Sequence, residues 1–358
     1  MTTEMIPAET FAPGEYLRDE LAERGWAEGE FASIFGRPVQ TVSEILNGKK
    51  EITPETAAAI GAALGTSAEL WLNLQTSYRL QVVRDSTGQS LEPVRVRSRL
   101  RSLVPVRELQ RRKWLPETDD VEVLERAVCD LLEIKTLDEE PSLVLAARRS
   151  NAQETLTAEQ IAWIAYVASV GEMRSTAPLD LEQLASFAAG MTTTLSEPRD
   201  LASIAAGLES CGVALVIELP LRNSKLDGVV VWRRDGPVIG LTTRGDRMDS
   251  FVFTLLHEIA HLTLNHLSEG RMHVDEDLNP NSTLDHESEA NAQAARWIFP
   301  TEPILDVDEL TPARILEVSE QFRVHPCFLI GRLQREGRLS WSQYRNVIPK
   351  VRPYVAFG

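Results

Sequence analysis

Along residues 10–78 the apolar positions recur in short runs at helical spacing. Tyr16, Leu17 and Leu21 form one stripe, and Phe31, Ile34 and Phe35 a second. Gly36-Arg37-Pro38 interrupts the pattern, Val39, Val42, Ile45 and Leu46 resume it, and Asn47-Gly48 ends it. Thr53-Pro54 is a helix start, with a hydroxyl cap and proline at the first helical position, and Ala57, Ile60 and Leu64 carry that helix to Gly65. Further on, 121–134, 157–173, 180–190 and 198–210 keep helical periodicity. The pattern then switches to three short β-rich runs, Val213–Ile217, Val229–Trp232 and Val238–Leu241. A strongly apolar helix follows from Asp249-Ser250 to about His266, with more helices from 286 onward.

This sequence of elements predicts a multidomain chain. An all-α domain of short helices, which the resemblance given below implies to be a helix-turn-helix domain, occupies 1–80, a basic connector 81–115 and a helical middle region 116–197. An α+β domain spans 198–305, and a helical extension 306–358 closes the chain. No apolar run approaches the ~20 residues of a membrane span. The N-terminus has no apolar signal core. Cys129, Cys211 and Cys327 lie too far apart for a knuckle or a disulfide framework, so the reading is of a protein of the reducing cytoplasm.

Charge changes the picture only when it is resolved by segment. The net charge of −16 argues against nucleic acid, yet residues 1–80 carry six basic and twelve acidic side chains, whereas 81–115 carry nine basic and three acidic. These blocks cancel, so the acidity belongs to 116–358, and operator DNA stays open as a partner. In a helix-turn-helix the second helix enters the major groove. Here that helix offers Gln40, Thr41, Ser43 and Glu44 to base edges, with Arg37, Asn47, Lys49 and Lys50 beside the phosphates. The basic side chains of 95–113 can add phosphate contacts or pair with the acidic middle region. The competing use of 1–80 is protein contact, including homodimerisation.

The chemistry-bearing motif is His257-Glu258-Ile259-Ala260-His261. Two histidines one helical turn apart project from one face and can share a Zn2+ ion, and Glu258 at the edge of that face can serve as general base. A zinc hydrolase needs a third protein ligand. Glu287 on the downstream helix is preferred, Glu289 and His286 are rivals, and Asn291 would orient a ligand by a hydrogen bond. His266 falls on the far side of the helix from His257, which predicts an exposed or capping residue. Mn2+ or Fe2+ suits the same donors. The acidic run Asp275-Glu276-Asp277 would favour a basic protein substrate.

Residues 211–300 resemble the ImmA/IrrE metallopeptidase domain. The resemblance rests on FTLLHEIAHLTLNH (253–266), on LDGVVVW and GPVIGLTTRGDRMDSFVF before it, and on EANAQAARWIFP (289–300) after it. It implies a gluzincin-like arrangement with His257, His261 and Glu287 on the metal, Glu258 as base, and a repressor-type or other regulatory protein such as a toxin as substrate. Residues 11–80 resemble the HigA-type XRE helix-turn-helix, through PGEYLRDELAERG, QTVSEILNGKKEIT and GTSAELWLNLQ, and VSEQFRVHPCFLIGRLQREGRLSW resembles the end of fusions of the two. Together these imply a transcription regulator carrying a zinc endopeptidase. The alternative is a DNA-binding antitoxin or transcription factor whose metal domain is a sensor or scaffold.

Overall fold

The computed structural model describes residues 11–87, 91–144, 156–266, 272–276, 285–304 and 310–358. The chain divides into two compact units, 1–93 and 94–358. No described helix is long and apolar enough to cross a membrane.

The smaller unit is built from α1 (Pro13–Arg24), α2 (Glu28–Phe35), α3 (Val39–Leu46), α4 (Pro54–Leu64) and α5 (Ala68–Thr87). Gly25, Gly36 and Gly65 end α1, α2 and α4 in the left-handed conformation, which a glycine adopts without steric cost. Thr53 caps α4 by accepting from the Thr56 amide, as its position before Pro54 predicts. The predicted stripes converge in part: Leu17, Leu21, Phe31, Phe35, Val42, Ile45 and Ile60 form one buried core, joined by Trp71, whereas Tyr16, Ile34 and Val39 are exposed. α1 meets the end of α3 so closely that a methyl group on Gly14 would lie 2.4 Å from the Ile45 carbonyl oxygen.

The larger unit starts with α6 (Glu92–Leu103), α7 (Val106–Arg111), α8 (Val121–Leu132), α9 (Ala158–Glu172) and α10 (Leu181–Thr194). A 3-10 turn (Pro198–Ser203) and α11 (Ile204–Ser210) lead to β1 (Ala214–Glu218), β2 (Leu226–Arg233) and β3 (Gly236–Thr242). Then come α12 (Met248–Thr263), β4 (Met272–Glu276), α13 (Asp285–Ile298), α14 (Pro312–Phe322) and α15 (Pro326–Arg335). The sheet order is β1-β3-β2-β4, with β1 parallel to β3 and the other pairs antiparallel. The fourth strand lies outside the three β-rich runs read from the sequence.

The sheet is covered on both faces, which explains why its strands read as unbroken apolar runs. Side chains alternate across it. Leu215, Ile217, Val230, Ile239 and Leu241 join the core that contains α12, while Ala214, Val216, Val229, Val231 and Val238 join the core of α6 to α9. α9 approaches the sheet through glycine: a methyl group on Gly240 would lie 2.6 Å from Val167, and one on Gly171 2.3 Å from Val238.

Two boundaries differ from the sequence reading. The stretch 81–115 is split, since α5 runs on to Thr87 while Leu100, Val104, Val106, Leu109 and Leu115 are buried with α8 and α9. Some of its cations serve the unit itself: Arg112 donates to the Leu219 and Pro220 carbonyls, each at 2.7 Å, and Arg99 to the Leu137 carbonyl at 3.1 Å. The C-terminal extension likewise shares the core of α12 through Ile315, Val318, Cys327, Phe328 and Leu329. Cys129, Cys211 and Cys327 are free and buried.

Candidate metal centre

α12 is buried at every position from Met248 to Leu262 except Ser250, so its polar residues are held where burial costs most unless they are partnered. Five polar side chains lie inside it at 5% exposure or less: Asp249, Thr254, His257, Glu258 and His261. Asp249 in the first turn receives two hydrogen bonds from Arg247, at 3.1 and 2.7 Å. His257 and His261, one turn apart, bring their Nε2 atoms to 2.9 Å from each other.

α13 packs on α12 through Ala290 and Ala294, both fully buried, and small residues there allow the close approach that places Glu287. The Glu287 carboxylate lies 3.4 Å from His257 Nε2 through one oxygen and 3.5 Å from His261 Nε2 through the other. One donor atom from each of His257, His261 and Glu287 lies within 4.8 Å of the others. Asn291, one turn after Glu287, places Oδ1 3.1 Å from His257 Nδ1, on the ring edge away from that cluster. The rivals for third donor lie elsewhere: Glu289 accepts at His266 and is mostly exposed, and His286 stacks on the His266 ring.

Of the two readings of His266, exposed or capping, the structure contradicts the first. Its side chain is only 6% exposed, and its Nδ1 lies 3.2 Å from His261 Nδ1. The helical wheel fails because α12 stops at Thr263. Asn265 adopts a left-handed φ of 59°, and the His266 amide returns to the His261 carbonyl at 3.0 Å. The ring then links His261 to Glu289, whose Oε2 lies 3.0 Å from Nε2, and burial lowers the His266 pKa below 6.5 against the pull of Glu289.

Glu258, the residue after His257, faces strand β2. It is fully buried, and its room comes from β2: a methyl group on Gly228 would lie 2.3 Å from Glu258 Oε1 and 2.9 Å from the Thr254 methyl. Sequence reading did not single out Gly228, whose contact with Glu258 exists only in the folded chain. Of the acidic run 275–277, Asp275 and Glu276 end β4 and Asp277 lies outside the described residues.

In the smaller unit, α2, the Gly36-Arg37-Pro38 turn and α3 make the helix-turn-helix. Arg37, Gln40, Asn47, Lys49 and Lys50 are exposed, and Thr41, Ser43 and Glu44 are half-buried. Two of the polar side chains already hold each other or the backbone: Gln40 donates to Glu44 at 3.1 Å, and Asn47 to the Ser43 carbonyl at 2.8 Å.

Comparison with known proteins divides the chain in the same way. The profile of the IrrE N-terminal-like domain, peptidase family M78, matches residues 213–334, and the helix-turn-helix profile matches 17–71. The former extends through α14 and α15. An uncharacterized HTH-type transcriptional regulator, YddM of Escherichia coli K12, is 35% identical over 68 residues, which are 19% of this chain and 72% of YddM. A solved addiction module antidote protein of the HigA family from Coxiella burnetii is 33% identical over 24% of this chain and 92% of its own, with a TM-score of 0.23. The Pseudomonas aeruginosa antitoxin HigA, solved with the higBA promoter, is 32% identical over 22% of this chain and 88% of its own, with a TM-score of 0.22. The chain therefore belongs to the XRE-type helix-turn-helix family in its N-terminal part, and its residues 213–334 match the IrrE/ImmA-like peptidase domain.

Proposed function

We propose that this chain is a cytoplasmic transcription regulator in which a DNA-binding helix-turn-helix is joined to a zinc-dependent endopeptidase acting on a regulatory protein, a repressor being the substrate class. The observation that carries the reading is a donor triad of His257, His261 and Glu287 beside a fully buried Glu258. The triad fits the ion. A tetrahedral zinc with bonds of about 2.0–2.1 Å keeps its ligand atoms roughly 3.3 Å apart, and the donor separations here are 2.9, 3.4 and 3.5 Å. The same imidazole and carboxylate donors accept Mn2+ or Fe2+.

When bound, the ion supplies Lewis acidity, polarising a carbonyl and making water a stronger acid. The protein residues do the rest. With Nε2 turned to the triad, His257 presents Nδ1–H to Asn291 Oδ1, which fixes its tautomer and its ring plane. His261 is held in the same way by His266, and Glu289 takes the other edge of that second ring. Glu258 accepts the proton of the attacking water at a carboxylate oxygen and returns it to the leaving amine. Gly228 keeps space for that carboxylate, and burial keeps bulk water away from it.

On the DNA side, exposed Arg37, Lys49 and Lys50 support phosphate contact, and Gln40, Thr41 and Ser43 of α3 are the residues proposed to meet bases. Asn47, tied to Ser43, joins them at the end of α3. A proteolysis assay against repressors encoded beside this gene tests the peptidase. Glu258→Gln is expected to lower turnover by at least about 10²-fold at unchanged zinc content, the size of a general-base contribution. Equal turnover in both proteins would instead assign the metal unit to sensing or scaffolding.

A further inference from the structure

A cavity of about 350 Å3 opens between α12, α13 and α15. It lies behind His257. The Nε2 edge of that ring faces His261 and Glu287, the Nδ1 edge faces Asn291, and Asn291 lines the cavity. The walls are largely apolar, with the Phe253, Phe299 and Phe328 rings among them, and four charged side chains reach in: Asp249, Arg332, Arg335 and Glu336.

Three of these four charges are matched within the protein. Asp249 takes two hydrogen bonds from Arg247. Arg332 donates to Glu336 at 2.7 Å, pairs with Glu302, and lies over the Phe299 ring. Arg335 is the exception: among the described residues its guanidinium donates no hydrogen bond and forms no ion pair. It lies 3.8 Å over the Phe253 ring centroid instead. Burial pushes its pKa down to about 10, with the field of Asp249 opposing, so it is a cation at neutral pH. A guanidinium carries five N–H donors, and donors left without a protein partner at the wall of a largely apolar cavity suit an anionic acceptor.

We propose that this cavity is a binding site for a small organic carboxylate, the anion held by Arg335 and the apolar body by the three phenylalanine rings. Its volume is at the lower end of small-molecule pockets, about 300–1,000 Å3, which suits one ring or a short chain and excludes a folded segment. A cationic ligand would meet Arg335 unfavourably, and a bare inorganic anion would leave the apolar walls unused. The site stands apart from the metal chemistry, although its lining includes Asn291, the residue that holds His257.

The test is calorimetric titration of the full-length, zinc-loaded protein with phenylacetate, with phenethylamine and phenylacetamide as cationic and neutral matches in shape. Phenylacetate is expected to bind with a Kd of about 1 mM or tighter. The amine and the amide are expected to bind at least about tenfold more weakly, because a charge-assisted bond is lost. Arg335→Gln removes the anion contact, while Ala295→Leu fills the cavity from α13 and leaves the arginine in place; each is expected to raise the Kd by at least about tenfold. Equal binding of the three probes, no binding of phenylacetate up to about 10 mM, or an unchanged Kd in both variants would overturn the proposal.

Discussion

At the scale of single residues, the candidate centre depends on one missing methyl group. Glu258 is fixed by α12 but has room only because β2 carries glycine at 228, where a Cβ would fall 2.3 Å from its carboxylate oxygen. That separation is well inside van der Waals contact, and the atom opposite is a carboxylate oxygen of a buried side chain. Gly228→Ala is therefore expected to displace Glu258 while His257, His261 and Glu287, which are not among the atoms nearest to that Cβ, keep their places. Peptidase turnover should fall by about 10²-fold, the cost of misplacing a reacting group by an ångström, with zinc content unchanged. Loss of zinc together with activity would mean that the disturbance spreads through α12. Sequence reading reached His257, Glu258 and His261 because their spacing is set by the helix itself. Gly228 was out of reach, because its importance comes from a strand and a helix that meet only in three dimensions.

At the scale of elements, what was legible is what local periodicity determines. The runs 121–134, 157–173 and 180–190 correspond to α8, α9 and α10, with ends within a few residues. β4 was not legible, because Met272–Glu276 holds only two apolar residues and pairs only along β2. The turn that brings His266 back to His261 was equally hidden, since it begins where the helix stops. α15 shows how an element end can respond to pH. Its cap is His325, whose Nδ1 accepts from the Cys327 amide at 3.1 Å, which an imidazolium cannot do. Burial lowers the His325 pKa below the ordinary 6.5. The unfolded chain thus binds a proton at a pH where the folded one does not, so stability is complete above 6.5 and is lost as pH falls through the lower folded value. His325→Asn keeps a cap acceptor that does not titrate. Between about pH 7.5 and 5.5, a window that spans histidine titration, the wild type is expected to lose more Tm than the variant. Parallel Tm profiles for the two proteins would show that this cap does not carry the effect.

At the scale of the whole molecule, the net charge of −16 resists any polyanion, and 1–80 is itself acidic. Binding to DNA then has to come from a local cluster, and Arg37, Lys49 and Lys50 are exposed around α3 to form one. The basic stretch that follows is a weaker source, because Arg99 and Arg112 are engaged by backbone carbonyls of their own unit. A cluster of three cations predicts a modest salt dependence: with three phosphates neutralised, log K falls with log salt at a slope near −3 (about −0.9 per contact). Titration of a labelled operator at several salt concentrations measures it. Lys49→Ala and Lys50→Ala should each lower affinity evenly across sequences and reduce the slope by about 1. Gln40→Ala should leave the slope alone and change which bases are preferred, since Gln40 must release Glu44 before its amide can pair with a base edge. A slope indifferent to both lysines would remove α3 from the phosphate backbone and turn the smaller unit toward protein contacts. The acidity of 116–358 works in the same direction as the local cluster, because repulsion of DNA by that part of the chain favours approach through α3.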